Sequence, residues 1–158
     1  QAPSALQSGG SIIAAEAAAI HRDALEHQRD AFDPRVLSRM DKGRSIAAPY
    51  YIHLLQQRQQ LQAQMDAAIA EVDMLLLPTI AITASRIADL IDDNNAFFAA
   101  NGLILRNTSI FNFYDLPALS LPAPRASGEL PVGIMLVGQR MQDRNLLAMA
   151  AAVEQSLL

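Results

Sequence analysis

The sequence predicts an α/β protein in which helices pack on a mixed sheet. Two segments, Ala118–Pro122 and residues 132–137, are apolar with almost no polar alternation, which is typical of strands covered on both faces. Proline or glycine bounds each segment, as expected at strand ends. Stretches with apolar residues at helical spacing stand before and after these strands, so we expect helices to cover the sheet.

Helices are predicted wherever the apolar residues recur at that spacing. Residues 1–10 are small and polar, with a flexible joint expected at Gly9-Gly10, and an amphipathic helix follows over residues 13–31. Residues 33–43 open with a capping aspartate and a proline and are closed by a glycine, which predicts a short helix. The longest helix, residues 49–72, is expected to lie across the sheet, and a last helix from Asp143 to Leu157 packs back onto it.

The connections between the strands predict their directions. Residues 74–77 form a third apolar run, ended by Pro78, which predicts a central strand. A loop with a helical turn or two is predicted after residue 79, as far as Phe97-Phe98. Because the whole passage to Ala118–Pro122 is long and partly helical, the two strands could be parallel and joined by a crossover. Residues 125–130 are short, polar and contain Gly128, which predicts a hairpin-like antiparallel link.

Composition narrows the function classes. The 158 residues are 51% hydrophobic, which suffices for one core. The net charge of −4 and the scattered basic residues argue against direct nucleic-acid binding. No apolar stretch reaches the roughly 18 residues of a membrane span, and the absence of cysteine fits a cytoplasmic protein. Because the sequence does not begin with methionine, we expect a piece of a longer polypeptide.

The motifs resemble one family. The series RNT, FN, DLPALSLPAP and GELPVGIMLVG within residues 105–138, followed by DRNLLAMAAAVEQ, resembles the C-terminal region of the amidase signature family, whose members hydrolyse or transfer carbon–nitrogen bonds of amides. EAAAIHRDAL, DPRVLSRMDKG and DMLLLPT resemble earlier blocks of the same region. The resemblance implies that residues 1–158 are the C-terminal portion of an amidase signature domain.

The catalytic group that the resemblance implies is not found in this sequence. The family uses a serine nucleophile activated by a lysine through a second, cis-peptide serine. The only lysine here is Lys42, at a helix end beside Asp41, where a solvated ammonium is expected instead of a base. His21, His27 and His53 lack the spacing of metal ligands, and cysteine is absent. We therefore predict no catalytic residue, no metal and no cofactor in this chain.

Substrate contact is the remaining role. The predicted contacts are Arg106, Thr108, Asn112, Phe111 and Thr79. The polar residues interrupt an apolar environment before a buried strand, where they must be hydrogen-bonded or line a cavity. The resemblance implies that the segment of Arg106, Thr108 and Asn112 shapes the substrate pocket. As an aromatic residue Phe111 could line an apolar acyl pocket together with Phe97 and Phe98, and Thr79 could face the site from a strand end. The alternative is structural, with Thr108 or Asn112 capping a helical turn, Arg106 neutralising a carboxylate and Phe111 in the core.

Three functions are compatible with these observations. The leading interpretation is an amidohydrolase acting on a small-molecule amide, in which this chain is inactive without the N-terminal catalytic part of the same protein. The second is the A subunit of an enzyme that amidates aminoacyl-tRNA, and the third is a non-catalytic binding or assembly module. In the leading interpretation this chain contacts neither nucleic acid nor a membrane, and the protein can be a homo-oligomer.

Overall fold

The structure is a computed structural model that describes residues 9–157. These residues divide after Leu61 into two compact units, and the division falls inside the longest helix. None of the helices in the described range is both long enough and apolar enough to cross a membrane.

The first unit is helical. Its elements are α1 (Gly9–Ile20), α2 (Arg22–His27), a 3₁₀ turn (Arg29–Ala31), α3 (Pro34–Arg44) and the first part of α4 (Ala48–Ala68). The predicted joint at Gly9-Gly10 is wrong, because α1 already begins at Gly9; residues 1–8 lie outside the described range. The single helix predicted over residues 13–31 is also wrong, since the chain bends at His21 and at Gln28. These bends let Leu25, on α2, join Ala18 and Met40 in one buried cluster.

The two ends of α3 have different physical causes. Asp33 caps its start as predicted, since the carboxylate accepts hydrogen bonds from the backbone amides of Arg35 at 2.8 Å and Val36 at 3.3 Å. Gly43 was expected to close the helix, but it lies inside the last turn and is buried. A Cβ at this position would lie 1.9 Å from the carbonyl oxygen of Ala14, so glycine is required there for the close approach of α1 and α3.

The second unit contains the sheet. Its elements after the end of α4 are β1 (Leu75–Pro78), a 3₁₀ turn (Ile87–Asp89), α5 (Asn94–Tyr114), β2 (Ala118–Pro122), β3 (Gly133–Val137) and α6 (Asp143–Leu157). The strand order is β1-β3-β2, and β3 is antiparallel to both neighbours. The α/β class, the hairpin between β2 and β3, and the parallel direction of β1 and β2 are therefore confirmed.

The sheet differs from the prediction in its pairing. A mixed sheet was expected, but the described ladders are all antiparallel, because the hairpin places β3 between the two parallel strands. The predicted central strand, β1, accordingly lies at an edge of the described sheet, with Leu76 64% exposed. Burial on both faces is confirmed for β3, whose Met135, Leu136 and Val137 are at most 3% exposed. The prediction of burial on both faces is wrong for β2, in which exposed residues alternate with less exposed ones.

Helix α6 covers one face of the sheet, as predicted. Leu146 and Ala150 of α6 form a buried cluster with Leu121 and Leu136. The predicted long helix ends at Ala68 instead of residue 72. Three carbonyl oxygens of the turn that follows accept hydrogen bonds from the side-chain nitrogen Nε2 of Gln139, which lies after β3. The distances are 3.3 Å to Ile69, 3.4 Å to Ala70 and 3.2 Å to Val72. This contact fixes the end of α4 to the segment after β3.

The loop predicted after β1 is present over residues 79–93 and contains one 3₁₀ turn, whereas helix α5 begins at Asn94, shortly before the predicted end of the loop at Phe97-Phe98. Asp93 caps the start of α5 by accepting from the backbone amides of Asn95 at 2.8 Å and Ala96 at 3.0 Å. Its end is Asp115, in a left-handed conformation with φ 55°, which aspartate tolerates better than most residues do. Since Phe111 and Tyr114 are buried, tertiary packing sustains a helix that contains a glycine and several asparagines.

Candidate functional site

A pair of hydroxyl groups lies where β1 ends. Thr79 directly follows β1, and its backbone amide donates to the carbonyl oxygen of Gly133 at 2.9 Å. Its Oγ1 lies 2.5 Å from Oγ of Ser120, on β2. One hydroxyl directly follows the outer strand β1, the other lies on the outer strand β2, and the two meet across β3.

Gly133 makes this meeting sterically feasible. Neighbouring strands lie about 4.8 Å apart, so side chains on two outer strands are normally separated by the side chain of the central strand. A Cβ on Gly133 would lie 2.3 Å from Oγ of Ser120 and 2.6 Å from Oγ1 of Thr79. Both distances are too short for real atoms, so any other residue at position 133 would push the hydroxyls apart.

Helix α5 brings an amide and a guanidinium to the same strand end. The side-chain nitrogen of Asn107 donates to the carbonyl oxygen of Pro78 at 2.8 Å. Nε of Arg106 donates to Oδ1 of Asn107 at 3.3 Å. These two bonds orient the exposed side chain of Arg106, because its partner Asn107 is itself bonded to Pro78, the last residue of β1. Pro78 directly precedes Thr79.

Two of the predicted contacts have structural roles in this unit. The hydroxyl of Thr108 donates to the carbonyl oxygen of Leu105, one turn earlier in α5, at 3.3 Å. Phe111 is only 6% exposed, so its ring belongs to the core and offers little surface to a ligand. Phe111 therefore agrees with its structural alternative, whereas Thr108 bonds within the middle of α5 and does not cap a helical turn.

Asn112 lies on another side of the helix. Helical geometry places it about 140° around α5 from Asn107, and its side chain is exposed. The structure therefore brings Thr79 and Arg106 together through Asn107, but it does not bring Asn112 to the same place.

Sequence reasoning did not select Ser120 or Gly133 for the site, and Asn107 was not among the five predicted contacts although it belongs to the same polar segment. Ser120 could have been selected because its hydroxyl is the one polar side chain of the apolar strand ALSLP. Asn107 stands next to two predicted contacts, but only the helical geometry shows that it is Asn107 that faces the strand end. Gly133 was interpreted as a strand boundary, and its steric role depends on which residues flank it in the sheet.

This arrangement can bind a polar ligand. Each hydroxyl has one hydrogen, and the Thr79–Ser120 bond uses only one of the two, so a donor remains for a ligand. A nucleophilic hydroxyl needs a neighbouring base, and in the described residues neither hydroxyl is bonded to lysine, histidine or carboxylate. Lys42 is exposed on α3, in the first unit. Three converging His, Asp or Glu side chains, as a metal site requires, are not found in the part of the chain that the structure describes.

The resolved pKa shifts belong to the first unit. A hydrogen bond from Arg29 holds the pKa of the Asp41 carboxyl below its ordinary value, and the same bond raises the pKa of the Arg29 guanidinium. The hydroxyl of Tyr51 lies 2.7 Å from a carboxylate oxygen of Glu16, which raises the pKa of that tyrosine. Both pairs are side-chain interactions within the first unit.

Comparison with known proteins identifies related chains. The model of the Amidase family matches residues 3–147. The chain is 33% identical over 131 residues to the A subunit of the glutamyl-tRNA(Gln) amidotransferase of Halobacterium salinarum, covering 80% of this chain and 30% of that protein. It is 28% identical over 145 residues to the 2-amino-5-chloromuconic acid deaminase of Comamonas testosteroni, covering 92% of this chain and 31% of that protein.

Solved structures show the same fold. A crystal structure of an amidase superposes with a TM-score of 0.78 over 99% of this chain and 36% of that chain, at 24% identity. The allophanate hydrolase of Kluyveromyces lactis, as its S177A variant, gives a TM-score of 0.76 over 92% of this chain and 24% of that chain, at 23% identity. The present chain spans about a third of the length of the curated relatives it matches.

Proposed function

The chain belongs to the amidase signature family, and on that premise we propose that it is the C-terminal portion of an amidohydrolase. The complete protein hydrolyses the carbon–nitrogen bond of a small-molecule amide. In this proposal the N-terminal part supplies the serine nucleophile and its base, and residues 1–158 supply one wall of the substrate pocket. The chain alone is expected to be inactive.

One observation supports this division of labour most directly. The Thr79–Ser120 pair presents hydroxyls at a strand end, without a neighbouring base in the described residues. Such a pair can hydrogen-bond a polar substrate but cannot attack it. A binding wall that lacks catalytic groups is what an amidohydrolase needs from a segment outside its nucleophile region.

We assign different roles to the predicted contacts. Thr79 and Arg106 bind the substrate directly, and Ser120 and Asn107 join them. Thr108 stays a prediction as a contact, although its bond to the helix backbone favours a structural role. The predicted contacts through Phe111 and Asn112 also stay predictions, with Phe111 in the core and Asn112 on the other side of α5.

The partners of this chain follow from the same proposal. Its main partner is the N-terminal catalytic part of the same protein, which binds the amide together with it. The net charge of −4 supports a C-terminal portion that does not touch nucleic acid directly, and the lack of cysteine fits the proposed cytoplasmic location. A homo-oligomer is compatible with this assignment.

A second candidate is the A subunit of an aminoacyl-tRNA amidotransferase. The 33% identity to the Halobacterium salinarum protein favours it. The two candidates differ in their products. A hydrolase releases ammonia or an amine into solution, whereas an amidotransferase passes ammonia to an aminoacyl-tRNA. Glutamine-dependent amidation of glutamyl-tRNA, with little hydrolysis of other amides, would favour the second candidate.

The test begins with the intact mass of the protein purified from its source and with mapping of its N-terminus. The complete protein is then assayed for ammonia release from a panel of small amides, as wild type and as Thr79→Val and Ser120→Ala. Loss of one hydrogen bond to the substrate is expected to lower kcat/KM roughly 10-fold, equivalent to about 1.4 kcal/mol. Ser156→Ala is the matched control, because that hydroxyl bonds within α6, to Val153 at 2.7 Å. Wild-type activity in both site variants, with unchanged circular dichroism, would contradict the proposed binding wall.

A further inference from the structure

We infer that the amide substrate carries a negatively charged group, and that Arg106 binds that charge. This inference rests on the proposed amidohydrolase function and names the substrate class. It is based on the hydrogen bonds that Arg106 makes, on its position beside the end of β1, and on the kind of group that a guanidinium binds.

Among the residues that the structure describes, the guanidinium of Arg106 has no carboxylate partner. Within residues 9–157, its hydrogen bond is the 3.3 Å contact from Nε to Oδ1 of Asn107, and no ion pair to it is formed. Other arginines of the same range are paired, as with Arg29 to Asp41 and Arg140 to Asp66. The terminal nitrogens of Arg106 therefore keep their N–H donors for another group.

Its location sets Arg106 apart from an ordinary surface arginine. Asn107 accepts from Arg106 and donates to the carbonyl oxygen of Pro78 at 2.8 Å. The next residue, Thr79, bonds to Ser120 at 2.5 Å. A series of contacts therefore joins the cation to the strand end that carries Thr79, and in this proposal one ligand reaches both groups.

The chemistry of the two groups is complementary. A guanidinium presents a rigid fork of donors that matches a carboxylate, whereas the hydroxyl pair offers one donor and several lone pairs to a neutral polar group. A small molecule with an amide and a carboxylate can engage both. The fork of Arg106 is already oriented by Asn107, so less side-chain freedom is lost on binding.

The experiment compares two amides with the complete protein. Succinamate and butyramide have the same primary amide and similar length, but only succinamate has a carboxylate. Hydrogen bonds to charged groups are worth about 1.5–3 kcal/mol, so we expect succinamate to be preferred in kcat/KM by roughly 10- to 100-fold. Arg106→Gln should remove this preference by lowering the rate with succinamate alone. Arg106→Lys should restore part of it, because the charge remains but the fork is lost.

A control variant and a binding measurement separate this inference from the proposed function. Arg125→Gln removes another exposed arginine, whose guanidinium bonds to a carbonyl oxygen of the hairpin loop, and it should leave the preference unchanged. Calorimetric titration with succinamate reports binding even if no amide is hydrolysed. Hydrolysis of both amides with equal losses in Arg106→Gln would overturn the charged-substrate inference and leave the hydrolase standing. Succinamate binding that depends on Arg106, without hydrolysis of either amide, would support the inference while the hydrolase proposal fails. Absence of both hydrolysis and Arg106-dependent binding would refute both.

Discussion

Replacement of Gly43 by alanine should destabilise the first unit. Gly43 lies where α3 crosses α1, and an added Cβ would lie 1.9 Å from the carbonyl oxygen of Ala14 and 2.7 Å from the amide nitrogen of Ala15. Ordinary van der Waals contact begins near 3.4 Å. The obstacle is backbone, which no rotamer change relieves, so the two helices must separate by about 1.5 Å.

The magnitude follows from two opposing effects. Overpacking a tight contact costs about 1–3 kcal/mol, and a backbone obstacle places Gly43→Ala at the upper end of that range. Alanine is a better helix former than glycine by about 1 kcal/mol, which offsets part of the cost. We expect a net loss of about 2 kcal/mol in the free energy of unfolding.

Gly102→Ala is the matched control. Gly102 also lies within a helix, α5, but a Cβ there has no atom of its surroundings within 4 Å. This variant should gain about 0.5–1 kcal/mol, because it receives the helix propensity of alanine without a steric cost. The same substitution is thus expected to change stability in opposite directions at the two positions.

Urea denaturation of the complete protein, followed by far-UV circular dichroism, measures both variants. Amide hydrogen exchange with mass spectrometry should locate the Gly43→Ala effect in α1 and α3, as faster exchange. If Gly43→Ala were as stable as the wild type and exchanged at the same rate in α1, the close approach of these helices would be refuted.

Two further predictions concern hydrogen bonds away from the site. Gln139→Glu keeps the side-chain shape but loses the N–H groups that reach three carbonyl oxygens after α4, so we expect a loss of about 1 kcal/mol in urea denaturation; wild-type stability would mean that packing alone fixes this turn. The hydrogen bond from Arg29 lowers the pKa of Asp41 from its ordinary 3.8, so its stabilisation is present above the unfolded pKa and lost as the pH falls through the lower, folded pKa. Stability should therefore decline less steeply between about pH 5 and pH 2 in Asp41→Asn than in the wild type, and parallel declines would contradict this linkage.

The candidate site shows where sequence reasoning reaches its limit. Thr79 and Arg106 were predicted because a polar residue beside a buried strand needs a partner or a ligand. Ser120 and Gly133 were not, because their roles depend on strands that pair across a distance in sequence. Asn107 was not among the five predicted contacts, because only the helical geometry of α5 shows which side chain of this polar segment faces the end of β1.

The sequence by itself determined the class, the positions of the three strands and the starts of α3, α4 and α6. Apolar runs, prolines and caps such as Asp33 act over a few residues, so their effects can be predicted locally. The tertiary structure decided the order β1-β3-β2, the bends that bring Leu25 into its cluster, and the length of α5. Each of these depends on contacts between residues far apart in the chain, and their packing energy exceeds the local preferences that a sequence pattern reports.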